Sequence, residues 1–281
     1  MAWGYRGEGP AVVPAGLTDV TAIAAGGSFS LALRADGTVT GWGYSFSNMP
    51  PADLSGVISI DAGNDHSVAL RSDGTVRAWG GDDEGQCAVP TGLTGVTAVA
   101  AGAMHSLALR SDGTVVSWGA NTYGQASVPA NLSGVVAISG GGVHSMAVRS
   151  DGSVVAWGGA GYGASDVPVG LAGVVAVAAG NDHSLALRSD GTVAAWGRDP
   201  DLVTVPTGLR HVVGIAAAQW HNLALRSDGR VVAWVAADPW GTYDLGQADV
   251  PAGTRKVTAV SAGPFHSLAL SSAHGHGVVA T

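Results

Sequence analysis

Histidine recurs at one position of this chain, and the chemistry of that position is the first question that the sequence raises. The recurring histidines are His66, His105, His144, His183, His221 and His266. Imidazoles brought to one level of a closed structure could bind a metal ion. Each of them, however, is followed by Ser or Asn in the same local context. Because a residue that recurs with the folding unit is more often a structural hydrogen-bonding group, we predict a structural role and no metal site.

Carboxylates stand directly before two of these histidines, at Asp65 and Asp182, and are the best candidates for acid–base catalysis. They lie three repeats apart. We therefore expect them to be separated by well over about 10 Å, whereas the paired carboxylates of glycosidases lie roughly 5–9.5 Å apart. Cys87, the single cysteine, has no histidine at a spacing typical of a cysteine nucleophile. The sequence leaves enzymatic activity uncertain and leans against it.

A repeat of about 39 residues positions these side chains. The stretches 62–80, 101–119 and 179–197 match almost residue for residue. Tryptophan marks the same place in seven copies, at Trp3, Trp42, Trp79, Trp118, Trp157, Trp196 and Trp234. Self-similarity at such a period predicts a repeat architecture, in which we expect the tryptophans to pack between neighbouring copies.

Each copy predicts four antiparallel β-strands. In the third copy the first strand covers residues 96–102 and consists of small apolar residues, and the second covers residues 105–110. Asp112 and Gly113 then predict a type I′ hairpin turn, and a third strand reaches Trp118. A short fourth strand ends at Val-Pro, where proline is harmless because an outer edge needs no N–H donor.

Seven copies of this unit predict an all-β fold, a seven-bladed β-propeller with four-stranded antiparallel blades. The last copy stops where its tryptophan is due, and Trp3 supplies it. We therefore expect strands from both termini to close the ring, with residues 1–15 and 255–281 sharing the last blade. On this interpretation residues 1–281 form a single domain, and a closed ring without sheet edges favours a monomer.

Composition argues against several classes of partner. The net charge is −8, with 13 Lys and Arg residues, so a nucleic-acid surface is not expected. No apolar run approaches the roughly 18 residues of a membrane span. Residues 140–142 are glycines that follow a strand but lack the helix of a phosphate loop, so no cofactor is expected. No signal peptide is visible, because the repeat already begins at the first residues. The protein could be cytoplasmic, or secreted with its leader removed.

The variable residues of the repeats are predicted to lie on one face. We call this face the top; it comprises the loops before each histidine and the loops after each Trp-Gly. The turns at the opposite end, the bottom, are nearly uniform in sequence. Variable loops on a rigid scaffold are where binding usually occurs, so the top is the predicted binding face.

Aromatic residues are predicted to gather on one side of the top, above the sixth and seventh blades. These residues are Tyr5, Trp220, Trp240, Tyr243 and Phe265. Further candidate binding residues occupy the position before the histidines, namely Asn64, Asp65, Met104, Asn181 and Asp182. Aromatic side chains are typical anchors of protein interfaces. The alternative is that the loops pack on one another beneath an insertion in the sixth blade.

The repeat resembles the regulator of chromosome condensation family over essentially the whole chain. The resemblance rests on the patterns Ala-Gly-x-x-His-Ser-Leu-Ala-Leu and Asp-Gly-x-Val-x-Ala-Trp-Gly. It is strongest to a compact bacterial branch with Gly-Gln-x-x-Val-Pro loops, as at residues 124–129. That branch includes a secreted β-lactamase-inhibitory propeller whose inhibitory face is formed by the residues before the histidine position. Met104, Trp220 and Phe265 are similar to the aromatic and apolar residues of that face.

Three functions stay open at this point. The first is a protein-binding scaffold, inhibitor-like, whose top holds an unknown protein partner. The second is an enzyme of specialised metabolism that binds a small molecule at the top mouth of the channel, beside Asp65 and Asp182. The third is a carbohydrate-binding propeller, which would be expected to carry several equivalent sites. We rank them in that order.

Overall fold

Seven antiparallel sheets, each of three strands, make up the fold, one sheet per repeat. The computed structural model describes residues 1–5, 9–44, 48–159, 161–236 and 245–272. The middle strand of each sheet contacts the first strand of the next sheet, and the last sheet contacts the first. The predicted seven-bladed propeller is therefore confirmed.

The strands are short, and the first strand of each repeat is the innermost. Blades 1 to 3 consist of β2 (Val20–Ala25), β3 (Phe29–Arg34), β4 (Val39–Gly43), β5 (Val57–Ala62), β6 (His66–Arg71), β7 (Val76–Gly80), β8 (Val96–Ala101), β9 (His105–Arg110) and β10 (Val115–Gly119). Blades 4 to 6 consist of β11 (Val135–Gly140), β12 (His144–Arg149), β13 (Val154–Gly158), β14 (Val174–Ala179), β15 (His183–Arg188), β16 (Val193–Gly197), β17 (Val212–Ala217), β18 (His221–Arg226) and β19 (Val231–Val235). Blade 7 consists of β20 (Val257–Ala262), β21 (His266–Ser271) and β1 (Ala2–Gly4).

The ring is closed by the two ends of the chain, as predicted. β1 pairs antiparallel with β21, and Trp3 lies opposite Ser267. The amino group of Met1 donates to the carbonyl of Ala269 at 2.9 Å. Strand β1 thus supplies the outer strand of blade 7, and no sheet is left without its tryptophan-bearing strand.

The predicted fourth strand is absent from the described blades, and that part of the prediction is wrong. In blade 3 the N–H of Val128 donates to Ala126 O, and the carbonyl of Pro129 accepts the N–H of Leu132. Local turns therefore use these backbone groups, and proline has no N–H to offer a ladder. The segment is instead held by one carbonyl, that of Gln125, which accepts both the Trp157 indole N–H and the Ser145 hydroxyl.

The hairpin turns differ from the predicted type I′. Asp112 keeps a negative φ, and only Gly113 has a positive φ, of 77°. The Asp112 carboxylate accepts the backbone N–H of Thr114 at 2.9 Å and its hydroxyl at 2.6 Å. The turn is therefore a three-residue loop with glycine in the left-handed position, and the aspartate favours it by bonding two residues ahead.

One short helix, α1 (Pro200–Val203), interrupts the β-structure and was not predicted. Asp199 caps it by accepting the N–H of Asp201 at 2.9 Å. The carbonyl of Leu202 accepts the Trp234 indole N–H, so α1 replaces the Gly-Gln loop of other blades. Among the described residues no helix is long and apolar enough to cross a membrane.

The repeated tryptophans pack between blades, as predicted. Trp118 on β10 is buried in a cluster with Val68 and Leu70 of blade 2 and with Val96 of blade 3. The same cluster includes Ala108 of the middle strand. Burial of such a large aromatic surface at each junction stabilises the contact between neighbouring blades.

Three non-glycine residues adopt left-handed backbone at the bottom turn. They are Asp19 (φ 56°), His211 (φ 59°) and Lys256 (φ 54°). The other repeats have glycine at this position, namely Gly56, Gly95, Gly134 and Gly173. An L-residue with a Cβ atom is strained in this conformation, whereas glycine is not.

Replacing Lys256 or His211 by glycine is expected to stabilise the protein by about 1 kcal/mol each, because the strain is removed. The measurement is the free energy of unfolding in denaturant. The reciprocal variant Gly95→Lys is the control and should lose a similar amount, since only the Ser111 hydroxyl, at 3.4 Å, lies near its added Cβ. Equal stabilities of all three variants would contradict the strain.

Candidate functional site

The centre of the top is the mouth of the channel, where the inner strands converge. Its cavity, of about 80 Å³, is lined mostly by alanine and glycine, with Asn64, Asn181, Gln219 and Pro264. A liquid water molecule takes roughly 30 Å³, and ligand sites usually measure roughly 300–1,000 Å³. The mouth therefore has room for a few waters. The expectation of an enzyme pocket there receives no support from this geometry.

Backbone hydrogen bonds tie the loops around the mouth from blade 1 to blade 5. They run from Gly27 N to Asn64 O (3.0 Å), from Asn64 N to Ala103 O (3.1 Å), from Ala103 N to Gly141 O (3.0 Å) and from Gly142 N to Gly180 O (2.9 Å). Within the described part of the chain, the series ends there. The loops of blades 5 and 6 are therefore not joined in this way.

A second cavity, of about 500 Å³, lies between blades 5 and 6. It is lined by Asn181, Asp182, Arg198, Asp199, Pro200, Asp201, Leu202, Gln219 and Trp220. Its size falls within the range of small-ligand sites. Three of the predicted site residues, Asn181, Asp182 and Trp220, are thus brought together here.

We call this space the blade 5/6 cavity. Its charged side chains differ in whether they have interaction partners. Asp182 Oδ1 is buried and has no hydrogen-bond partner. Asp199 caps α1. The Arg198 guanidinium lies over the ring of Tyr162, at 5.8 Å from its centroid. The cavity therefore contains an unused buried acceptor.

The predicted aromatic group above blades 6 and 7 is only partly described. The backbone N–H of Tyr5 donates to Phe265 O at 2.9 Å, so these two residues are neighbours. The Tyr5 ring meets Tyr44 of blade 1 edge-on, with centroids 6.4 Å apart. Trp220 lines the blade 5/6 cavity, and Trp240 and Tyr243 lie outside the described residues. Their association in one cluster stays a prediction.

A second aromatic group, which the sequence analysis missed, spans blades 3 to 5. The rings of Tyr123 and Tyr162 meet edge-on with centroids 6.0 Å apart, and Arg198 lies over Tyr162. Both tyrosines stand five residues after the repeat tryptophan of their copy. The same residue type at the same place in consecutive copies was the signal that could have predicted this contact.

The remaining predicted residues are spread around the top. Asn64 and Asp65 of blade 2 and Met104 of blade 3 are exposed. Asn64 and Asn181 both line the channel mouth, whereas Asp182 belongs to the blade 5/6 cavity. A catalytic role for Asp65 and Asp182 stays an untested prediction.

The histidines join neighbouring blades. His105 Nε2 lies 2.8 Å from Ser145 Oγ, and Ser145 in turn donates to Gln125 O. Equivalent contacts, of 2.7–3.0 Å, join His66 to Ser106, His144 to Ser184, His183 to Asn222, His221 to Ser267 and His266 to Ser30. Because the serine uses its single proton on a carbonyl, the histidine must donate from Nε2. The predicted structural role is confirmed by these bonds.

One junction lacks this contact. Phe29 holds the histidine position in blade 1 and is fully buried. The serine that it faces in register, Ser67 of blade 2, has a buried hydroxyl without a hydrogen-bond partner. The ring of histidine contacts is therefore interrupted between blades 1 and 2. Among the described residues, no group of three or more metal-ligating side chains comes together.

Burial keeps the histidines neutral. It lowers the pKa of His105 and His221 to about 3 and the pKa of His66, His144 and His266 to about 4. The pKa of His183 is also lowered by burial. Protonation would place a charge on the buried Nδ1 atoms, which have no hydrogen-bond partners.

A partly buried carboxylate that the sequence analysis missed lies on the inner strand of blade 2. Asp61 accepts the N–H of Ala62 at 2.9 Å and, across the junction, the N–H of Ala101 at 2.8 Å. Desolvation raises its pKa to about 6, against the opposing effect of these two bonds. At the junction of blades 4 and 5 a serine makes the equivalent hydrogen bond: Ser139 accepts the N–H of Ala179 at 3.0 Å. The sequence signal for this site was a charged residue in a strand that otherwise has small, uncharged residues at that position.

Cys87 is unsuited to act as a nucleophile. Its thiol donates to Gly81 O at 3.2 Å. Burial, with the nearby charge of Asp82, raises its pKa to about 11. The thiolate, which is the reactive form, is therefore scarce at neutral pH.

Comparison with known proteins identifies the repeat. A family model described as the regulator of chromosome condensation (RCC1) repeat matches residues 20–48, 57–86, 96–125 and 174–201. No curated protein matches the sequence.

Solved structures share the fold. Human WBSCR16 has a TM-score of 0.74 and 18% identity, over 97% of this chain and 99% of that chain. Yeast RCC1 (Prp20), in a structure with Kap60, has a TM-score of 0.71 and 22% identity, over 89% and 79%. The ectodomain of the Physcomitrella patens receptor kinase CR4 has a TM-score of 0.69 and 20% identity, over 87% and 69%. At these identities the likeness shows the fold alone.

Stability is expected to fall steeply when the pH drops below about 6.5, the ordinary pKa of histidine. Each histidine whose pKa is lower in the folded protein than in the unfolded chain takes up a proton on unfolding. The stability that it provides is therefore complete above pH 6.5 and is lost as the pH falls towards 4. Between pH 7 and pH 5 the loss is roughly 2 kcal/mol per histidine. The five histidines whose folded pKa is about 3 or 4 together approach the whole stability of a typical domain, about 5–15 kcal/mol.

Denaturant midpoints followed by tryptophan fluorescence from pH 7.5 to pH 5 measure this loss. The turn carboxylates, such as Asp112, do not confuse the result: their hydrogen bonds to Thr114 lower their pKa below the ordinary value, so they titrate in a more acidic range. A midpoint that stays constant down to pH 5 would contradict burial of neutral imidazoles.

Asp61→Ser is expected to stabilise the protein, and more so at pH 7.5 than at pH 5.5. The raised pKa of Asp61 means that its ionisation opposes folding as the pH rises through about 6. The gain should therefore be larger at pH 7.5 by about 1 kcal/mol. Serine retains the bond between blades, as Ser139 does. The matched control, Ser139→Ala, loses that bond and should show no such pH dependence. An equal gain for Asp61→Ser at both pH values would refute the buried charge.

Proposed function

We propose that this chain, which matches the RCC1 repeat in four places and folds as a seven-bladed propeller, is a scaffold whose top binds a protein partner. The observation that carries the proposal is the set of exposed aromatic and apolar side chains on the variable loops of that face. Tyr44 is 51% exposed, Tyr123 is 46% exposed and Met104 is 39% exposed. Such side chains are typical anchors of protein interfaces.

The arrangement of the tyrosines supports this proposal. Tyr123 and Tyr162 contact each other across blades 3 and 4, and Arg198 of blade 5 packs over Tyr162. Tyrosine and arginine are enriched at interface hot spots, and here they form one continuous strip. The mutual contacts hold the rings in place, which reduces the conformational entropy that binding would cost.

The bottom offers a different surface. Its turns repeat one arrangement, in which an exposed aspartate accepts a bond from the residue two positions ahead. This holds at Asp36, Asp73, Asp112, Asp151 and Asp190. Exposed valines, including Val136 and Val175, also lie near this end of the inner strands. They provide a natural comparison for a test of which face binds.

Related propellers are consistent with a protein partner. A yeast RCC1 structure contains bound Kap60, and a study of yeast Prp20p describes its binding properties to Gsp1p and histones. These partners are properties of the yeast protein. They support the general proposal that a propeller of this type holds proteins, and a β-lactamase is one finer candidate that the sequence resemblance adds.

The enzyme and carbohydrate alternatives lack comparable support in the described part of the chain. The channel mouth has room for a few waters. The Cys87 thiol has a raised pKa. The described tyrosine contacts use two different positions of the repeat: Tyr5 and Tyr44 stand two residues after the tryptophan, whereas Tyr123 and Tyr162 stand five residues after it. A lectin propeller would be expected to repeat one site.

The double variant Tyr123→Ala/Tyr162→Ala is expected to weaken partner binding by about tenfold or more, because truncation of an aromatic hot spot typically costs more than about 1 kcal/mol. Partners would be captured with wild-type protein from the extract and culture medium of the source organism, identified by mass spectrometry and remeasured as purified proteins by biolayer interferometry. Purified β-lactamases would be tested alongside.

The control variant Val136→Ala/Val175→Ala changes two exposed apolar residues at the bottom of blades 4 and 5. It should bind every partner as the wild type does. Loss of binding in the control with retention in the tyrosine variant would move the interface to the bottom. A captured small molecule that emerges chemically altered would replace the proposal by the enzyme alternative.

A further inference from the structure

We infer that the blade 5/6 cavity binds an arginine side chain of the protein partner. This inference rests on the proposed function, because it names the chemistry by which the partner is recognised at the end of the tyrosine strip. Arg198 connects the two features, since it packs over Tyr162 and also lines the cavity.

The cavity lies at a junction of the described ring where the mouth loops are not tied by backbone hydrogen bonds. Around the mouth, backbone bonds link the loops of blades 1 to 5, and within the described residues none links the loop of Asn181 to that of Gln219. A space of about 500 Å³ lies between these two loops. It falls in the size range of pockets that take a small ligand or a long side chain.

Charge in the cavity favours a cation. Its lining contains three carboxylates, Asp182, Asp199 and Asp201, against one guanidinium, that of Arg198. Asp182 Oδ1 is buried without a hydrogen-bond donor, and no ion pair within 4.0 Å joins Asp182 to Arg198 in the described structure. A buried acceptor without a donor is costly, so a bound cation that donates to it gains a strong, charge-assisted bond.

The remaining lining residues of the cavity favour a guanidinium over an ammonium group as the bound cation. Trp220 offers an indole ring, which is the best aromatic partner for a cation. Gln219, whose side chain carries an amide oxygen acceptor, also lines the cavity. A guanidinium is planar, stacks on aromatic rings and carries five N–H donors, whereas an ammonium is compact and strongly hydrated. Arginine therefore fits this set of groups better than lysine does.

The chain contains a matched comparison at another junction. The sequence Asn-Asp-His-Ser occurs both at residues 64–67 and at residues 181–184. In blade 2 the aspartate, Asp65, is exposed, and the next blade presents Ala103 and Met104 instead of Gln219 and Trp220. Water can solvate Asp65, so it has no comparable need for a ligand.

The test is an NMR titration of the full chain with N-acetyl-L-arginine amide, followed at the amides of Asn181, Asp182 and Gln219 and at the Trp220 indole. We expect saturable shifts at these residues. N-acetyl-L-citrulline amide, which is neutral and of nearly the same shape, should cause no saturable shift. N-acetyl-L-lysine amide should bind several-fold more weakly than the arginine probe. Equal binding of the citrulline and arginine probes would overturn the proposal.

Three variants localise the site. Asp182→Asn should weaken binding of the arginine probe by about tenfold, the typical effect of losing one charged hydrogen-bond partner. Trp220→Leu should weaken it by about threefold to tenfold. Asp65→Asn, the matched control, should bind as the wild type does. An unchanged affinity in Asp182→Asn, or equal losses in Asp182→Asn and Asp65→Asn, would show that the cavity does not bind arginine.

The probe titration and the partner-capture experiment test the two proposals independently. The probe titration needs no partner, whereas the capture experiment with the tyrosine variant needs no free arginine. If a partner binds through Tyr123 and Tyr162 but the probe does not bind, the cavity inference is wrong and the scaffold proposal stands. If the probe binds as predicted but no protein is captured, the scaffold proposal is wrong.

Discussion

The structure depends on one carbonyl at each blade junction, which accepts an indole N–H from the next blade and, at six of the seven junctions, a side-chain donor as well. At Gln125 O the donors are Trp157 Nε1 and Ser145 Oγ, both at 2.8–2.9 Å, and the serine is in turn joined to His105. Each such bond contributes a net stability of only about 1 kcal/mol, but leaving any of these buried groups unpaired costs more. Because the same contacts recur around the ring, blades are held at a constant spacing without covalent links.

This repeated junction separates the scaffold from the binding surface. The tryptophans and histidines are buried, and their partners are the next blade and its loop. The outer top loops therefore carry side chains that the ring does not need, among them Tyr123 and Tyr162. Where the mouth loops are also tied, little space is left. Between blades 5 and 6 the described mouth loops are not tied in this way, and a cavity is present there whose lining residues are available to a partner.

Departures from the repeat mark the places where the physical chemistry changes. Phe29 replaces a histidine and leaves the Ser67 hydroxyl without a partner. Asp61 replaces a small residue and puts a carboxylate with a raised pKa between two blades. Left-handed His211 and Lys256 replace glycine. Each departure adds local strain or an unfavourable group, and the uniform junctions elsewhere in the ring offset it.

The sequence by itself determined the number of blades, the ring closure through Trp3 and the structural role of the histidines, because these follow from residues that recur at a fixed period. It misjudged the fourth strand at Val128 and the turn at Asp112, where local hydrogen bonds of proline-flanked and aspartate turns decide the backbone. The blade 5/6 cavity, the Tyr123–Tyr162 contact and the hydrogen bond between Asp61 and Ala101 were decided only by the tertiary structure. They depend on side chains from different repeats that meet across a junction, and a periodic pattern reports what the repeats share rather than what their differences bring together.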